Sequence, residues 1–256
     1  MPVNWKIGLK LYSTDIDIIA DARKLQNGFF DFVELYVVPD SYETTINVWK
    51  DFDIPFIIHM PHSLHGVNLA QAEKWQTNLI HFKETQKFSD ELASGIIIVH
   101  GGNNGNFNET IRQLALFKDR RIALENKPKM GLRGNVCAGW SPEEFRYALG
   151  SGIVSSMVLD FGHAACAANS LKKGHMDIVK EFMILNPELF HLSDGDASSE
   201  KDTHLNLGKG NLNITEFLSV IPDNGLVTIE TPRDMRRGLD DFVEDIHALR
   251  GLIEKA

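Results

Sequence analysis

Residues Gly95–Glu125 of this 256-residue chain read GIIIVHGGNNGNFNETIRQLALFKDRRIALE. Two short apolar runs, Gly95–His100 and Arg121–Glu125, enclose a stretch with helical spacing at Glu109–Phe117. Both runs are nearly continuous in hydrophobicity, which is typical of strands buried on both faces of a parallel sheet. Because parallel strands need a crossover connection, the segment predicts one β-α-β unit.

The same unit recurs along the whole chain, and eight units in 256 residues match the size of a (β/α)8 TIM barrel. An open doubly wound sheet is the alternative, but the residues after the first run, Leu11–Asp15, lack a glycine-rich phosphate turn. No linker divides the chain, so we expect a single α/β domain, a TIM barrel over residues 1–256. The predicted strands are Lys6–Leu11, Phe32–Val38, Pro55–Met60, Gly95–His100, Arg121–Glu125, Met157–Asp160, Leu189–Leu192 and Leu226–Glu230. The predicted helices are Asp15–Leu25, Tyr42–Phe52, Ala70–Leu92, Glu109–Phe117, Pro142–Leu149, His175–Leu185, Ile214–Val220 and Leu239–Lys255.

The composition indicates a globular protein, with 43% hydrophobic and 24% charged residues. The formal net charge of −9 argues mildly against broad nucleic-acid binding, because phosphate backbones attract Lys- and Arg-rich surfaces. Two cysteines give no disulfide framework, and the N-terminal residues MPVNWKIG lack the apolar core of a signal peptide. With no apolar stretch of membrane-spanning length, we expect a cytoplasmic protein with no membrane partner.

Imidazole and carboxylate side chains stand at the ends of six consecutive predicted strands. One such residue is an ordinary strand end, but the carboxyl ends of all barrel strands open on one face, so six of them share one pocket. Carboxylates that face one low-dielectric pocket repel one another unless cations lie between them. Imidazole together with carboxylate favours zinc or manganese over calcium or magnesium. The residues are His59 and His62, His100, Glu125, Asp160, His191 and Glu230.

Loops after two of these strands supply three more candidate ligands. His163 lies three residues beyond Asp160, and Asp202 and His204 lie two apart, so an extended backbone points both side chains the same way. His163, Asp202 and His204 would suffice as the protein ligands of a further ion with an open position. Several metal ions in one pocket favour hydrolysis of a phosphoester, because one ion activates water and a pair clamps the attacking and leaving oxygens.

Five motifs follow one another from the fifth predicted strand to the eighth: IALEN (Ile122–Asn126), VLDFGHA (Val158–Ala164), HLSD (His191–Asp194), DTHLNLGKG (Asp202–Gly210) and IETP (Ile229–Pro232). They resemble the endonuclease IV family (AP endonuclease family 2) of the xylose-isomerase-like TIM barrels. The resemblance implies up to three zinc ions, with manganese or cobalt as alternatives, and hydrolysis of a phosphodiester 5′ to an abasic site in DNA. Glu125 and Glu230 would orient the attacking water. The implied ligand sets are His62, His100 and Glu125; then Glu125, Asp160, His191 and Glu230; then His163, Asp202 and His204.

The resemblance leaves the ligand from the third strand and the substrate open, and it disfavours one further alternative. Spacing to Asn68 favours His62 as the ligand from the third strand, while the H-x-P pattern favours His59. The other histidine would either support a ligand from behind or be a core histidine whose ring bonds the backbone. The loop after the second strand is short and acidic at Asp40 and Glu43, unlike the basic and aromatic DNA-binding loops of the family, so the DNA substrate is open. A non-catalytic barrel is disfavoured because every ligand position is filled.

A rival function comes from the same superfamily. The residues Glu125, Asp160, His191 and Glu230 also resemble the single-metal set of sugar isomerases and epimerases, in which the two glutamates would exchange a proton with the carbon beside a carbonyl. The isomerase or epimerase hypothesis implies a small sugar as the substrate. The additional histidines favour the phosphodiesterase.

Three further residues are candidate contacts to a phosphate-bearing substrate. Lys209 stands between Gly208 and Gly210, whose small size lets the backbone approach a ligand. Asn126 follows Glu125 and offers an amide to a carboxylate or to a substrate oxygen. Arg233 belongs to the basic segment RDMRR after the eighth strand, where barrels often bind phosphate.

Overall fold

The computed structural model describes residues 4–254, and eight parallel strands close into a barrel in sequence order, with β8 paired to β1. The predicted barrel is therefore confirmed, and each predicted strand matches an observed one within two residues at either end. The strands are β1 (Lys6–Tyr12), β2 (Phe32–Tyr36), β3 (Phe56–His59), β4 (Ile97–His100), β5 (Ile122–Glu125), β6 (Ser156–Asp160), β7 (Leu189–Leu192) and β8 (Leu226–Ile229).

The helices surround the barrel, and most agree with the predicted stretches. A 3-10 turn at Ala72–Lys74 replaces the beginning of the third predicted helix, and the last predicted residue, Lys255, lies outside the described residues. The helices are α1 (Ile19–Leu25), α2 (Tyr42–Lys50), α3 (Trp75–Glu91), α4 (Phe107–Phe117), α5 (Pro142–Gly150), α6 (Phe161–Leu171), α7 (His175–Met183), α8 (Ile214–Leu218) and α9 (Asp240–Ile253). Within residues 4–254, no helix combines the length and the apolar character needed to cross a membrane.

Helix α6 was not among the predicted helices. It follows β6 without a loop, and the Asp160 side chain caps it by accepting a hydrogen bond from the His163 N–H at 2.6 Å. The capping carboxylate satisfies a backbone donor that has no partner inside the helix. His163 therefore lies in the first turn of a helix, directly beside the strand that carries Asp160.

The barrel interior changes from apolar to polar along the strands. A buried cluster of apolar side chains, including Phe32 and Ile57, fills the end nearest the strand N-termini. Side chains two residues further on point into the same interior, because successive residues of a strand face opposite sides. Among them are Glu34 on β2 and His59 on β3, both fully buried. The apolar layer thus forms the floor under a polar layer at the carboxyl ends of the strands.

Candidate metal centre

Four side chains from four strands form the central group: Glu125, Asp160, His191 and Glu230. One ligand atom from each lies within 4.8 Å of those of the others. Strand register brings Asp160 directly opposite His191. The first three residues are completely buried, and the Glu230 side chain is 21% exposed. Burying three carboxylates beside one imidazole is costly unless a cation joins them.

Two more groups adjoin the central group and share residues with it. The first flanking group is His59, His100 and Glu125, with both histidine Nε2 atoms near Glu125 Oε2, at 3.2 and 2.9 Å. Asp160, His163 and His204 form the second flanking group. Glu125 and Asp160 therefore lie between neighbouring groups, as bridging carboxylates would.

Asp202 lies against the second flanking group. Its Oδ2 is 3.4 Å from His163 Nε2 and in close contact with His204 Nδ1. His163 donates its Nδ1 hydrogen to the backbone carbonyl of Asn126 at 2.8 Å, which leaves Nε2 as the ring atom available to a ligand. The structure thus brings together His163, Asp202 and His204, the three loop and helix residues predicted from the sequence.

Several buried polar atoms in these groups lack a hydrogen-bond partner among residues 4–254. His191 Nδ1 and Glu230 Oε2 are only 2.6 Å apart, yet neither has hydrogen-bond geometry toward the other. Buried polar atoms are rarely left unsatisfied, so atoms that crowd together without bonding fit a shared cation. The mixed imidazole and carboxylate donors fit zinc or manganese. The unpartnered atoms of the three groups are Glu125 Oε1, Asp160 Oδ2, His191 Nδ1, His204 Nε2 and Glu230 Oε2.

The electrostatic surroundings divide the histidines into two classes. Burial disfavours charge on all of them, but neighbouring glutamates outweigh burial and raise the pKa of His191 well above its ordinary value. Against the same burial, Asp160 and its neighbours raise the pKa of His163 to about 9. Burial dominates at His100, whose pKa falls well below its usual range, and at His62, whose pKa falls to about 3. Metal binding to His163 or His191 must therefore displace a proton.

The two candidate ligands from β3 occupy different positions. His59 ends the strand, is fully buried and contacts Glu125, so it belongs to the first flanking group. His62 lies in the following loop, with its ring stacked on His100 at 5.2 Å between centroids. The sequence spacing had favoured His62, whereas the structure places His59 closer to the carboxylate. His62 lines the cleft above the groups.

Two charged residues that the sequence analysis missed complete the interior. Lys10 on β1 lies with its Nζ atom 3.0 Å from Glu34 Oε1 and 2.6 Å from Glu230 Oε1. Glu34 Oε2 in turn accepts a hydrogen bond from His191 Nε2 at 2.8 Å. The signal in the sequence is a single charged residue inside each short apolar strand, Lys10 in Lys6–Tyr12 and Glu34 in Phe32–Tyr36.

Two of the three predicted substrate contacts, Asn126 and Arg233, have protein partners in the structure. The side-chain amide of Asn126 bonds both the N–H and the carbonyl of Asp160, at 2.7 and 2.9 Å, so it is a buried link between β5 and β6. Arg233 is paired with Asp15 at 2.6 Å and its side chain is only 8% exposed. Lys209 is exposed and lies outside the residues that line the cleft. The Asn126 amide is occupied by Asp160, whereas Arg233 bonds Asp15 and its buried Nη1 has no partner among residues 4–254, so substrate contact by these residues stays a prediction.

The glycines on either side of Lys209, Gly208 and Gly210, contact other parts of the protein. Both Gly208 and Gly210 donate their N–H groups to Asp194 Oδ2 at 3.0 Å. A Cβ atom on Gly210 would lie 2.3 Å from the carbonyl oxygen of Gly195, a backbone atom that cannot move aside. At Gly210 the close approach is therefore to Asp194 and Gly195, whereas a Cβ atom on Gly208 would meet open space.

A cleft of about 780 Å³ opens over the three groups. Its lining includes His100, His163, Asp202, His204 and Glu230, which connects it to the metal groups. The cations Lys74, Lys127 and Arg133 line it as well. Lys127 Nζ lies 3.2 Å from His163 Nε2, so this ammonium stands at the junction of the cleft and the second flanking group.

Comparisons with known proteins agree with this architecture. The family described as "Xylose isomerase-like TIM barrel" matches residues 22–252. The protein named "Probable endonuclease 4" of Mycoplasma capricolum is 26% identical over 209 residues, which are 73% of this chain and 71% of that protein. Endonuclease IV from Thermus thermophilus superposes with a TM-score of 0.70 at 19% identity, covering 98% of this chain and 100% of the other. A D-tagatose 3-epimerase-like protein superposes equally well, with a TM-score of 0.70, 19% identity and 97% of each chain covered. At such identities the structural matches show the fold alone.

Proposed function

The chain belongs to the xylose isomerase-like TIM barrel family, and on that premise we propose that it is a hydrolase that cleaves a phosphodiester with a multinuclear zinc-type centre. The observation that carries the proposal is the second flanking group with Asp202 beside it. A single-metal isomerase would need only the central group. Two further groups sharing Glu125 and Asp160 with it are arranged as a multinuclear centre requires.

The residues have distinct roles in this proposal. The central group and its two flanking groups would hold the ions, with Asp202 completing the second flanking group. Bound divalent ions supply Lewis acidity and lower the pKa of water to near neutrality. Glu125 and Glu230 present carboxylate oxygens at this point, where they would orient the nucleophile and hold its proton.

The substrate we propose is DNA that contains an abasic site. The name of the Mycoplasma capricolum relative, an endonuclease, supports a nucleic-acid substrate, and the motif resemblance implies the abasic site. The cations Lys74, Lys127 and Arg133 give the cleft wall a charge that suits a phosphodiester. Lys127 would contact a phosphoryl oxygen in this proposal, which its position beside His163 supports. The acidic loop at Asp40 and Glu43 would contribute little to binding the DNA backbone.

The second candidate is a sugar isomerase or epimerase, favoured by one observation. The central group alone contains the four ligands of a single-metal site, and it includes both glutamates that would serve as an acid/base pair. In this case the ion would be manganese, cobalt or zinc, and the substrate a small sugar.

Metal analysis of the purified protein separates the two candidates. Two to three equivalents of zinc per chain would support the hydrolase, whereas one equivalent of manganese or cobalt without zinc would refute it. The direct assay is cleavage of a duplex with one abasic site, which Glu230→Gln should abolish. Glu188→Gln is the matched control, because Glu188 is exposed at the opposite end of the barrel. Ketose epimerisation without any cleavage would establish the second candidate.

A further inference from the structure

We propose that Glu34 and Lys10 act as positioning residues for the central group. In this proposal Glu34 fixes which ring nitrogen of His191 carries the proton, so that the other nitrogen faces the metal position. Lys10 lies between Glu34 and Glu230 and contacts the Oε1 atom of each carboxylate. The inference rests on the proposed function in one respect, namely that the central group binds a metal ion.

The four residues form a closed ring of contacts across the barrel. Lys10 Nζ lies 3.0 Å from Glu34 Oε1, and Glu34 Oε2 lies 2.8 Å from His191 Nε2. His191 Nδ1 lies 2.6 Å from Glu230 Oε2, and Glu230 Oε1 lies 2.6 Å from Lys10 Nζ. The residues come from β1, β2, β7 and the position directly after β8, which are four neighbouring strands of the closed barrel, so the ring ties the first two strands of the chain to the last two.

The contact with Glu34 determines the state of the imidazole. A carboxylate paired with an ammonium group can only accept hydrogen bonds, so His191 Nε2 must carry the hydrogen that points at Glu34. Once a metal ion has displaced the proton of Nδ1, this atom would present its lone pair toward the position between Glu125 and Glu230 in the central group. With the opposite tautomer, an N–H would point at the metal position and exclude the ion. Carboxylates that accept from a ligand histidine are a general means of fixing its tautomer and raising its basicity.

Lys10 contacts one oxygen of Glu34 and one oxygen of Glu230, and so determines which oxygen of each carboxylate faces His191. It takes Oε1 of Glu34 and Oε1 of Glu230, which leaves Oε2 of each residue facing His191. Glu34 is fully buried, so without Lys10 its charge would face Glu230 and the central group uncompensated. The lysine therefore allows a fourth buried carboxylate beside a group that already contains three.

The first test measures metal affinity in the full-length protein. Zinc binding by chelator competition should weaken about 10- to 100-fold at one site in Glu34→Gln, while the remaining sites keep their affinity. Lys10→Met should weaken the same site. Glu188→Gln should bind zinc as the natural protein does, since its side chain is exposed at the far end of the barrel. Equal affinity in the natural protein and Glu34→Gln would overturn the inference, and absence of zinc binding by the natural protein would overturn the proposed function with it.

The second test does not depend on the variants being folded. Nitrogen-15 NMR of histidine-labelled, zinc-loaded natural protein reports which nitrogen of His191 bears the proton. A protonated Nε2 with zinc on Nδ1 is the expected result, and zinc on Nε2 would overturn the inference. Neither readout requires hydrolysis, so failure to cleave abasic DNA would leave the assignment of Glu34 and Lys10 intact.

Discussion

Replacing Asp194 with asparagine should destabilise the loop that carries two proposed metal ligands. The Asp194 side chain is buried and accepts four backbone hydrogen bonds. Its Oδ1 accepts from Gly195 at 2.8 Å and Leu212 at 3.1 Å, and its Oδ2 accepts from Gly208 and Gly210, both at 3.0 Å. One carboxylate thus closes both ends of the loop between residues 195 and 212.

The magnitude follows from the number of donors left without an acceptor. Asparagine retains one side-chain oxygen, so two of the four N–H groups lose their partner and face an amide NH2 instead. Hydrogen bonds to charged groups contribute roughly 1.5–3 kcal/mol each. Allowing for relaxation of the loop and entry of water, we expect a loss of about 3 kcal/mol in the free energy of unfolding. For a chain of this size that loss lowers the melting temperature by roughly 6–12 °C.

Urea unfolding and calorimetry of Asp194→Asn measure this loss directly. Asp196→Asn is the matched control, because Asp196 is exposed and its carboxylate bonds only Ser198 nearby. Faster hydrogen exchange at Gly208 and Gly210 would locate the effect in the loop. A variant within about 1 kcal/mol of the natural protein would refute the argument that these four hydrogen bonds hold the loop closed.

Three more predictions concern the same region. Asp202→Ala should reduce the zinc content by about one equivalent and leave the central group loaded, as measured by elemental analysis; unchanged content would remove Asp202 from the proposed ligands. Despite burial, the carboxylates around His163 raise its pKa to about 9, so its proton stabilises the metal-free fold fully below the ordinary pKa near 6.5, and this stability is lost as pH rises through 9. Zinc affinity should rise over the same interval with release of protons, which calorimetry in two buffers detects; an affinity independent of pH would contradict this. Gly210→Ala should cost more than about 2 kcal/mol because its Cβ would meet the Gly195 carbonyl at 2.3 Å, whereas Gly251→Ala, with open space around it, should be neutral or stabilising.

The candidate ligands at strand ends were identified from the sequence, while the two charged residues inside strands were missed. Glu125 and His191 follow apolar runs, and a barrel dictates that such positions converge. Glu34 lies two residues before the end of its strand and was counted as part of the apolar run Phe32–Val38. Every second side chain of a strand faces the barrel interior. A search for charged residues at such positions would have found Glu34 and its partner Lys10, which is opposite Glu34 in the strand register.

Contacts between residues that are distant in sequence could not be predicted for a different reason. Arg233 is paired with Asp15, 218 positions away, and Gly210 packs on Asp194 and Gly195, which the loop brings back to it. A local motif shows which side chains could bind a ligand, but only the fold shows which of them already bond another part of the protein. The segment Phe161–Leu171 was left unassigned because its small residues give little helical contrast, although Asp160 supplies the N-cap.

The charge balance of the interior connects the number of metal ions with the kind of substrate. Glu34, Glu125, Asp160, Asp202 and Glu230 bring five negative charges, and two lysines, Lys10 and Lys127, contact them or their histidine partners. With the histidines neutral, three negative charges remain. One divalent ion in the central group would leave protons on His163 and His204, because despite burial the neighbouring carboxylates raise the pKa of both. The second flanking group would then offer no Lewis acid to a phosphodiester, whereas a neutral sugar needs only the one ion. Two or three divalent ions would leave the centre positive, which favours the anion. The occupancy of the second flanking group therefore determines which of the two proposed reactions the electrostatics of this barrel can support.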